Sequence, residues 1–248
     1  MQGRSVGYFH VSLSRLLEPL GESDMAPTTL TGADVVRRLE AAGVAAVLVV
    51  DDADYAVPVA RALVAGGITA VELTLRTPAA VDAARAVLHD VPEMLVGIGT
   101  VLTPAQVRQA KELGAHFAMA PGLNARVVMA ARDAGLFFTP GVATPSEVER
   151  AVELGCQVLK FFPAEAQGGI AYLKGLAAPY LHLGLRYIPL GGVTPANVET
   201  YLRERFVLAV GGSWLAPRQH IAARDWKGIE AAARAAVHQV NALRGALS

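Results

Sequence analysis

A lysine in an apolar strand is the side chain of this sequence best suited to covalent chemistry. Lys160 lies in the segment CQVLKFFP, between Val158, Leu159, Phe161 and Phe162. An ammonium in that setting would be poorly solvated, which favours the neutral, nucleophilic amine. A lysine that reaches from a strand end into solvent explains the same pattern equally well. Lys160 is therefore a candidate nucleophile that needs support from other strands.

A second apolar segment, VELTLRT (71–77), supplies that support. Its apolar residues alternate with Glu72, Thr74 and Arg76. Because side chains alternate across a strand, the apolar set is expected to face helices and the polar set to face the interior. Inward charges are costly unless they pair or bind a ligand, and a buried structural ion network is the alternative interpretation. Together with Lys160, they favour an active site.

Small and polar residues lie at the ends of three further strands. In Gly97-Ile98-Gly99-Thr100 the glycines leave room for a ligand, and Thr100 offers a hydroxyl. Later strands end in Gly191-Gly192 and Gly211-Gly212-Ser213, whose exposed backbone N–H groups could hold an anion such as phosphate. Ordinary glycine turns are the simpler explanation of each motif taken alone.

Short apolar runs alternate with amphipathic segments from residue 45 onward, which is typical of repeated βα units. We predict strands at 46–50, 68–75, 94–99, 116–120, 136–140, 156–162, 185–190 and 206–211. Helices are predicted at 33–42, 55–65, 78–88, 104–113, 125–134, 145–154, 170–178, 195–203 and 225–243. Thr-Pro pairs at 77–78, 103–104, 144–145 and 194–195 predict helix starts, with threonine as N-cap.

This pattern predicts a single-domain closed (β/α)8 TIM barrel over residues 25–248, in which one N-terminal helix precedes the first strand. An open parallel sheet is the alternative. Residues 1–24 differ in composition, and we expect them to be a loosely attached N-terminal extension.

Composition excludes several classes of protein. The 248 residues are 53% hydrophobic with a net charge of +0, so neither nucleic acid nor an anionic membrane is an expected partner. The lone cysteine, Cys156, and the absence of a long apolar run predict a soluble cytoplasmic protein. The six histidines lack metal-ligand spacing, and there is no nucleotide-binding loop. We therefore expect neither a metal nor a cofactor.

Several segments together resemble the family of 2-keto-3-deoxy-6-phosphogluconate (KDPG) and 2-keto-4-hydroxyglutarate (KHG) aldolases, which are class I aldolases. The similarity extends over residues 31–243. The segments, in family order, are ALVAGGITAVELTLRTP (62–78), VGIGTVLTPAQ (96–106), APGLN (120–124), LKFFPAEAQGG (159–169), GGVTPAN (191–197) and GGSWLAP (211–217).

The resemblance implies a (β/α)8 barrel that cleaves KDPG into pyruvate and glyceraldehyde 3-phosphate in the Entner–Doudoroff route. By position, Lys160 forms the imine with the substrate ketone and Glu72 is the general acid and base. Arg76 and Thr100 bind the carboxylate of the 2-keto acid. The resemblance also implies a homotrimer without a cofactor.

For the rest of the substrate, the resemblance makes Phe162 and Pro121 the walls of the pyruvyl pocket. It makes Gly191, Gly192 and Ser213 the holders of a distal phosphate.

One departure from the family pattern leaves alternatives open. Strand seven reads Pro189-Leu190-Gly191-Gly192, where the phosphogluconate enzymes carry a threonine in place of Leu190. An aldolase for KHG or for 2-keto-3-deoxy-6-phosphogalactonate is thus an alternative substrate assignment. A catalytically silent barrel that binds phosphorylated metabolites and an isomerase are the alternatives from other classes.

Overall fold

The computed structural model describes residues 30–247, in which α-helices alternate with parallel strands; the predicted extension 1–24 lies outside this range. The ten α-helices of this range are α1 (Gly32–Ala42), α2 (Ala56–Ala65), α3 (Ala80–Asp90), α4 (Pro104–Glu112), α5 (Ala125–Asp133), α6 (Pro145–Glu153), α7 (Gly169–Ala177), α8 (Val198–Leu202), α9 (Arg218–Ala222) and α10 (Trp226–Leu247). The strands are β1 (Val44–Leu48), β2 (Ala70–Thr74), β3 (Leu95–Gly99), β4 (Phe117–Met119), β5 (Phe137–Thr139), β6 (Gly141–Val142), β7 (Val158–Phe161), β8 (Arg186–Pro189) and β9 (Val210–Gly212).

The strands form two sheets, and the predicted closed (β/α)8 barrel is wrong. A curled six-stranded sheet has the order β5-β4-β3-β2-β1-β9, and a three-stranded sheet has the order β6-β7-β8. All ladders are parallel. The order of the strands along the chain was predicted correctly, but their closure into one hydrogen-bonded ring was not.

Two interruptions separate the sheets. The strand predicted at 136–140 ends early as β5, and the chain then passes through Pro140, which has no N–H to donate to a ladder, and continues as β6. As a result β5 pairs with β4, whereas β6 pairs with β7. On the other side, β8 meets the β9 segment only through isolated bridges, Tyr187 to Val207 and Leu190 to Gly211.

The helix starts follow the predicted chemistry at some positions and not at others. Thr103 and Thr144 cap α4 and α6, and the N–H of each threonine donates in return to the side chain of the third helical residue. The predicted start at 77–78 is wrong, because the Thr77 hydroxyl donates to the Val50 carbonyl and α3 begins at Ala80. The predicted start at 194–195 is also wrong, because α8 begins at Val198.

Two apolar layers flank the strands and confirm the predicted alternation in β2. Val71 and Leu73 belong to the larger core between the sheets and the helices. Ala70 lies in a smaller core inside the curl, which α1 closes from below with Val35 and Leu39. The intervening Glu72 therefore lies on the inner side of the sheet, above this smaller core, which we call the apolar plug. Within residues 30–247, no helix is both long and apolar enough to cross a membrane.

The inner core leaves no space beside Gly97, which pairs with Phe117 across β3 and β4. A Cβ at Gly97 would overlap the fully buried ring of Phe117. We expect Gly97→Ala to lower the free energy of unfolding by about 1–3 kcal/mol, as overpacking does. Urea titration measures the change. Gly175→Ala on the exposed face of α7 is the control and should raise stability slightly, by up to about 1 kcal/mol. Equal stability of the two variants would contradict this account of the core.

Candidate active site

A lysine and a glutamate on different sheets form a buried ion pair. Lys160 of β7 donates from Nζ to Oε1 of Glu72 on β2 over 3.0 Å. The side chains are only 6% and 2% exposed. Breaking such a pair by removing one partner is strongly destabilising, because it leaves an uncompensated charge. The sequence predicted that both residues face inward, and the structure places their functional atoms in direct contact.

Missing side chains make room for this pair. A Cβ at Gly99 would overlap the carboxylate of Glu72, so any residue larger than glycine would displace that carboxylate. Gly141 pairs with Lys160 across β6 and β7, and a Cβ there would overlap the Pro121 carbonyl. Glycine is thus required at both positions by close approach.

The second carboxylate oxygen of Glu72 has unused hydrogen-bonding capacity. Oε2 is buried, and no residue of the described range bonds to it. A buried acceptor of this kind costs free energy unless a ligand or water satisfies it. The Phe162 ring lies on another side of the amine, with its centroid 5.3 Å from Nζ. A proton can therefore pass between Nζ and Oε1, and Oε2 remains available as an acceptor.

Arg76 enters the site from the end of β2. Its Nε lies 3.3 Å from Oγ1 of Thr74, and Thr74 in turn donates to the Leu48 carbonyl over 3.0 Å. This chain of contacts orients a guanidinium whose remaining donors suit a carboxylate. Thr100 lies at the end of β3 with a φ of 59°, a left-handed conformation that is unfavourable for a β-branched residue. Strain of this kind concentrates at functional sites.

The two glycine turns lie at the carboxyl ends of β8 and β9. Gly191 and Gly192 have φ values of 92° and 87°, which glycine adopts without strain. Glu165 supports the turn, because its N–H donates to the Gly191 carbonyl over 3.0 Å. Tyr201 donates its hydroxyl to Glu165, and burial together with that carboxylate raises the pKa of Tyr201. The neutral phenol of Tyr201 thus holds Glu165, which in turn holds the Gly191 turn.

All nine residues predicted for the site line one cavity of about 310 Å³ at the carboxyl ends of the strands. They are Glu72, Arg76, Thr100, Pro121, Lys160, Phe162, Gly191, Gly192 and Ser213. Sequence reasoning did not assign Val47 or Val193 to the site, although both line it. Val47 pairs with Glu72 across β1 and β2, so its place could have been inferred only from the register.

Comparison with known proteins gives a consistent result. The sequence profile of the KDPG and KHG aldolase family matches residues 35–232. The KHG/KDPG aldolase of Escherichia coli (strain K12) is 46% identical over 191 residues, which are 77% of this chain and 89% of that protein. The 2-dehydro-3-deoxy-phosphogluconate aldolase of Dickeya dadantii (strain 3937) is 42% identical over 199 residues, or 80% and 92% of the two chains.

Solved structures agree. The KDPG aldolase of Legionella pneumophila, in which pyruvate was captured as a covalent carbinolamine, is 36% identical with a TM-score of 0.78, over 83% of this chain and 98% of that one. The Zymomonas mobilis ZM4 enzyme with 3-phosphoglycerate is 39% identical with a TM-score of 0.78, over 84% and 96%. Sequence profile, relatives and structures therefore lead to one conclusion: the chain belongs to the KDPG and KHG aldolase family.

Proposed function

We propose that this chain cleaves KDPG to pyruvate and glyceraldehyde 3-phosphate through a Schiff base on Lys160. The single observation that carries the proposal is the buried contact of 3.0 Å between Nζ of Lys160 and Oε1 of Glu72. It joins a nucleophile to a proton carrier inside a cavity of substrate size. Membership of the aldolase family supports a carbon–carbon lyase activity.

The first half of the reaction builds the imine. Transfer of one proton from Lys160 to Glu72 along their hydrogen bond leaves a neutral amine and a carboxylic acid. The amine then attacks the C2 ketone and forms a carbinolamine. Glu72 returns a proton to the C2 hydroxyl, which leaves as water, and the nitrogen becomes a protonated imine.

The second half breaks the carbon–carbon bond. The Glu72 carboxylate removes the C4 hydroxyl proton, the C3–C4 bond breaks, and its electrons move into the imine to give an enamine. Glyceraldehyde 3-phosphate leaves, and Glu72 returns the proton to C3. Water then hydrolyses the imine, which releases pyruvate and restores the amine of Lys160, so the water lost earlier is regained.

The remaining cavity residues hold the substrate in this proposal. Arg76 and Thr100 bind the carboxylate, and the oriented guanidinium fixes the ketone next to Lys160. Phe162 and Pro121 form the walls around the pyruvyl carbons.

At the carboxyl ends of β8 and β9, Gly191, Gly192 and Ser213 hold the distal phosphate. Positive-φ glycines support that role, because they expose backbone N–H groups without side-chain hindrance. We further propose that the enzyme works in the cytoplasm as a homotrimer. The exposed large apolar side chains Leu102, Met129, Leu181 and Leu183 support association between chains.

KHG is a second candidate substrate, and one side chain favours it. Leu190 is buried, lines the cavity and offers no hydroxyl to a long polyol chain. We expect a measurable activity on KHG beside that on KDPG. Values of kcat/KM for KDPG, KHG and 2-keto-3-deoxy-6-phosphogalactonate rank the candidates. A clear preference for the galactonate would overturn the assignment to KDPG.

Trapping tests the nucleophile directly. Incubation with pyruvate and borohydride is expected to attach a reduced adduct to Lys160, which peptide mass mapping locates. Lys160→Ala and Lys160→Arg should both lose nearly all activity, because neither provides a neutral amine. Lys174→Ala, which removes an exposed lysine of α7, is the matched control and should be trapped normally. Pyruvate release by Lys160→Arg near the control rate would remove Lys160 from this role. A wild-type chain that binds the substrate without forming an adduct would be a silent binder.

Glu72→Gln tests the proton carrier. An amide keeps the shape and a hydrogen bond to Nζ but cannot accept and return a proton. We expect kcat to fall about 10²–10⁴-fold, with a smaller change in the affinity for substrate. Steady-state kinetics at saturating substrate measure the effect on kcat. The assignment fails if the variant turns over at close to the wild-type rate.

A further inference from the structure

A second cavity adjoins the one that contains Lys160. It measures about 630 Å³ and lies at the carboxyl ends of β1 and β9. Arg76, Gly192 and Ser213 line both cavities, as do two valines of the shared wall. The second cavity continues past Ser213 along Trp214 and the following turn. A substrate that extends beyond the glycine turns therefore enters it.

Arg218, the first residue of α9, closes the far side of this second cavity. Its Nε and Nη2 both donate to the carboxylate of Asp51, which follows β1. That pairing uses two of the five donors of a guanidinium and leaves the others available. Both side chains are about half or more exposed, so the ion pair itself contributes little to the stability of the fold.

The charge of the second cavity favours an anion. The described residues that line it include two permanent cations, Arg76 and Arg218, and no carboxylate. Arg76 stands at the boundary with the first cavity, and Arg218 stands at the far side. The Asp51 carboxylate limits the rotamers open to Arg218, which lowers the entropy lost when the guanidinium binds a ligand.

We propose that Arg218 is a specificity-determining residue that binds the distal phosphate of the substrate in this second cavity. The phosphate then lies between the N–H groups of the glycine turns and the free donors of Arg218, while Asp51 keeps the guanidinium in place. This inference rests on the proposed function and deepens it, because it assigns the preference for a phosphorylated chain to a residue outside the matched motifs.

The competing explanation is a structural clamp, in which the Asp51–Arg218 pair only ties the two loops together. The two explanations differ in what Asp51→Asn does. In a clamp, Asp51 and Arg218 have the same role, so replacing either residue changes kcat/KM for all substrates by the same factor. As the tether of a phosphate ligand, Asp51 also repels the phosphate, so its removal does not weaken the preference.

The test compares two substrates that differ only in the phosphate, KDPG and 2-keto-3-deoxygluconate. For Arg218→Gln we expect the ratio of their kcat/KM values to fall about tenfold, mainly through KM for KDPG. Arg218→Lys keeps the charge and should recover most of the ratio. Asp51→Asn should keep the ratio or raise it. Arg234→Gln on α10 removes an ion-paired arginine of nearly the same exposure and serves as the control.

The possible outcomes separate the two proposals. A ratio in Arg218→Gln within about twofold of the control would overturn the role of Arg218 alone. Equal losses with both substrates in Arg218→Gln and Asp51→Asn would also overturn it, in favour of the clamp. If the wild-type chain released pyruvate from neither substrate, the proposed function itself would fail, and the inference with it.

Discussion

The buried contact between Lys160 and Glu72 is the interaction on which the rest of this structure depends. Two opposite charges removed from water cost several kcal/mol each unless they compensate one another. Here the compensation is a direct hydrogen bond of 3.0 Å between the inner faces of two sheets. Both residues must stay, and both must point inward. The small residues around them, above all Gly99, follow from that requirement.

The fold meets this requirement by giving the two ends of the strands different surroundings. At the amino ends, α1 and the ring of Phe117 fill the inside of the curl with apolar side chains. At the carboxyl ends, glycines and polar side chains leave a cavity instead. The apolar plug excludes water from below, which strengthens each electrostatic contact in the site. The polar cavity and the packed apolar core thus occupy opposite ends of one interior.

Local patterns in the sequence predicted the inner face of β2, the apolar setting of Lys160 and the carboxyl-end glycine turns. Closure of the strands was not predictable, because an apolar run such as 136–140 does not reveal which neighbour its N–H groups will bond. At Pro140 the chain leaves the six-stranded sheet and enters the three-stranded one. Which strand each half of the segment pairs with depends on tertiary geometry. For the same reason Thr77 could not be excluded as a cap: its hydroxyl bonds to the Val50 carbonyl, a partner 27 residues away in the chain.

The seam between the two sheets has a bearing on how the site tolerates change. Lys160 belongs to the three-stranded sheet and Glu72 to the six-stranded one, so no continuous ladder of backbone bonds fixes their separation. Their spacing is set across the junctions at Pro140 and at the Leu190–Gly211 bridge. Residues at these junctions therefore control the alignment of Lys160 and Glu72, most directly Pro140, whose carbonyl accepts a hydrogen bond of 2.8 Å from the Lys160 N–H. Evolution or design could retune the enzyme there without replacing Lys160 or Glu72.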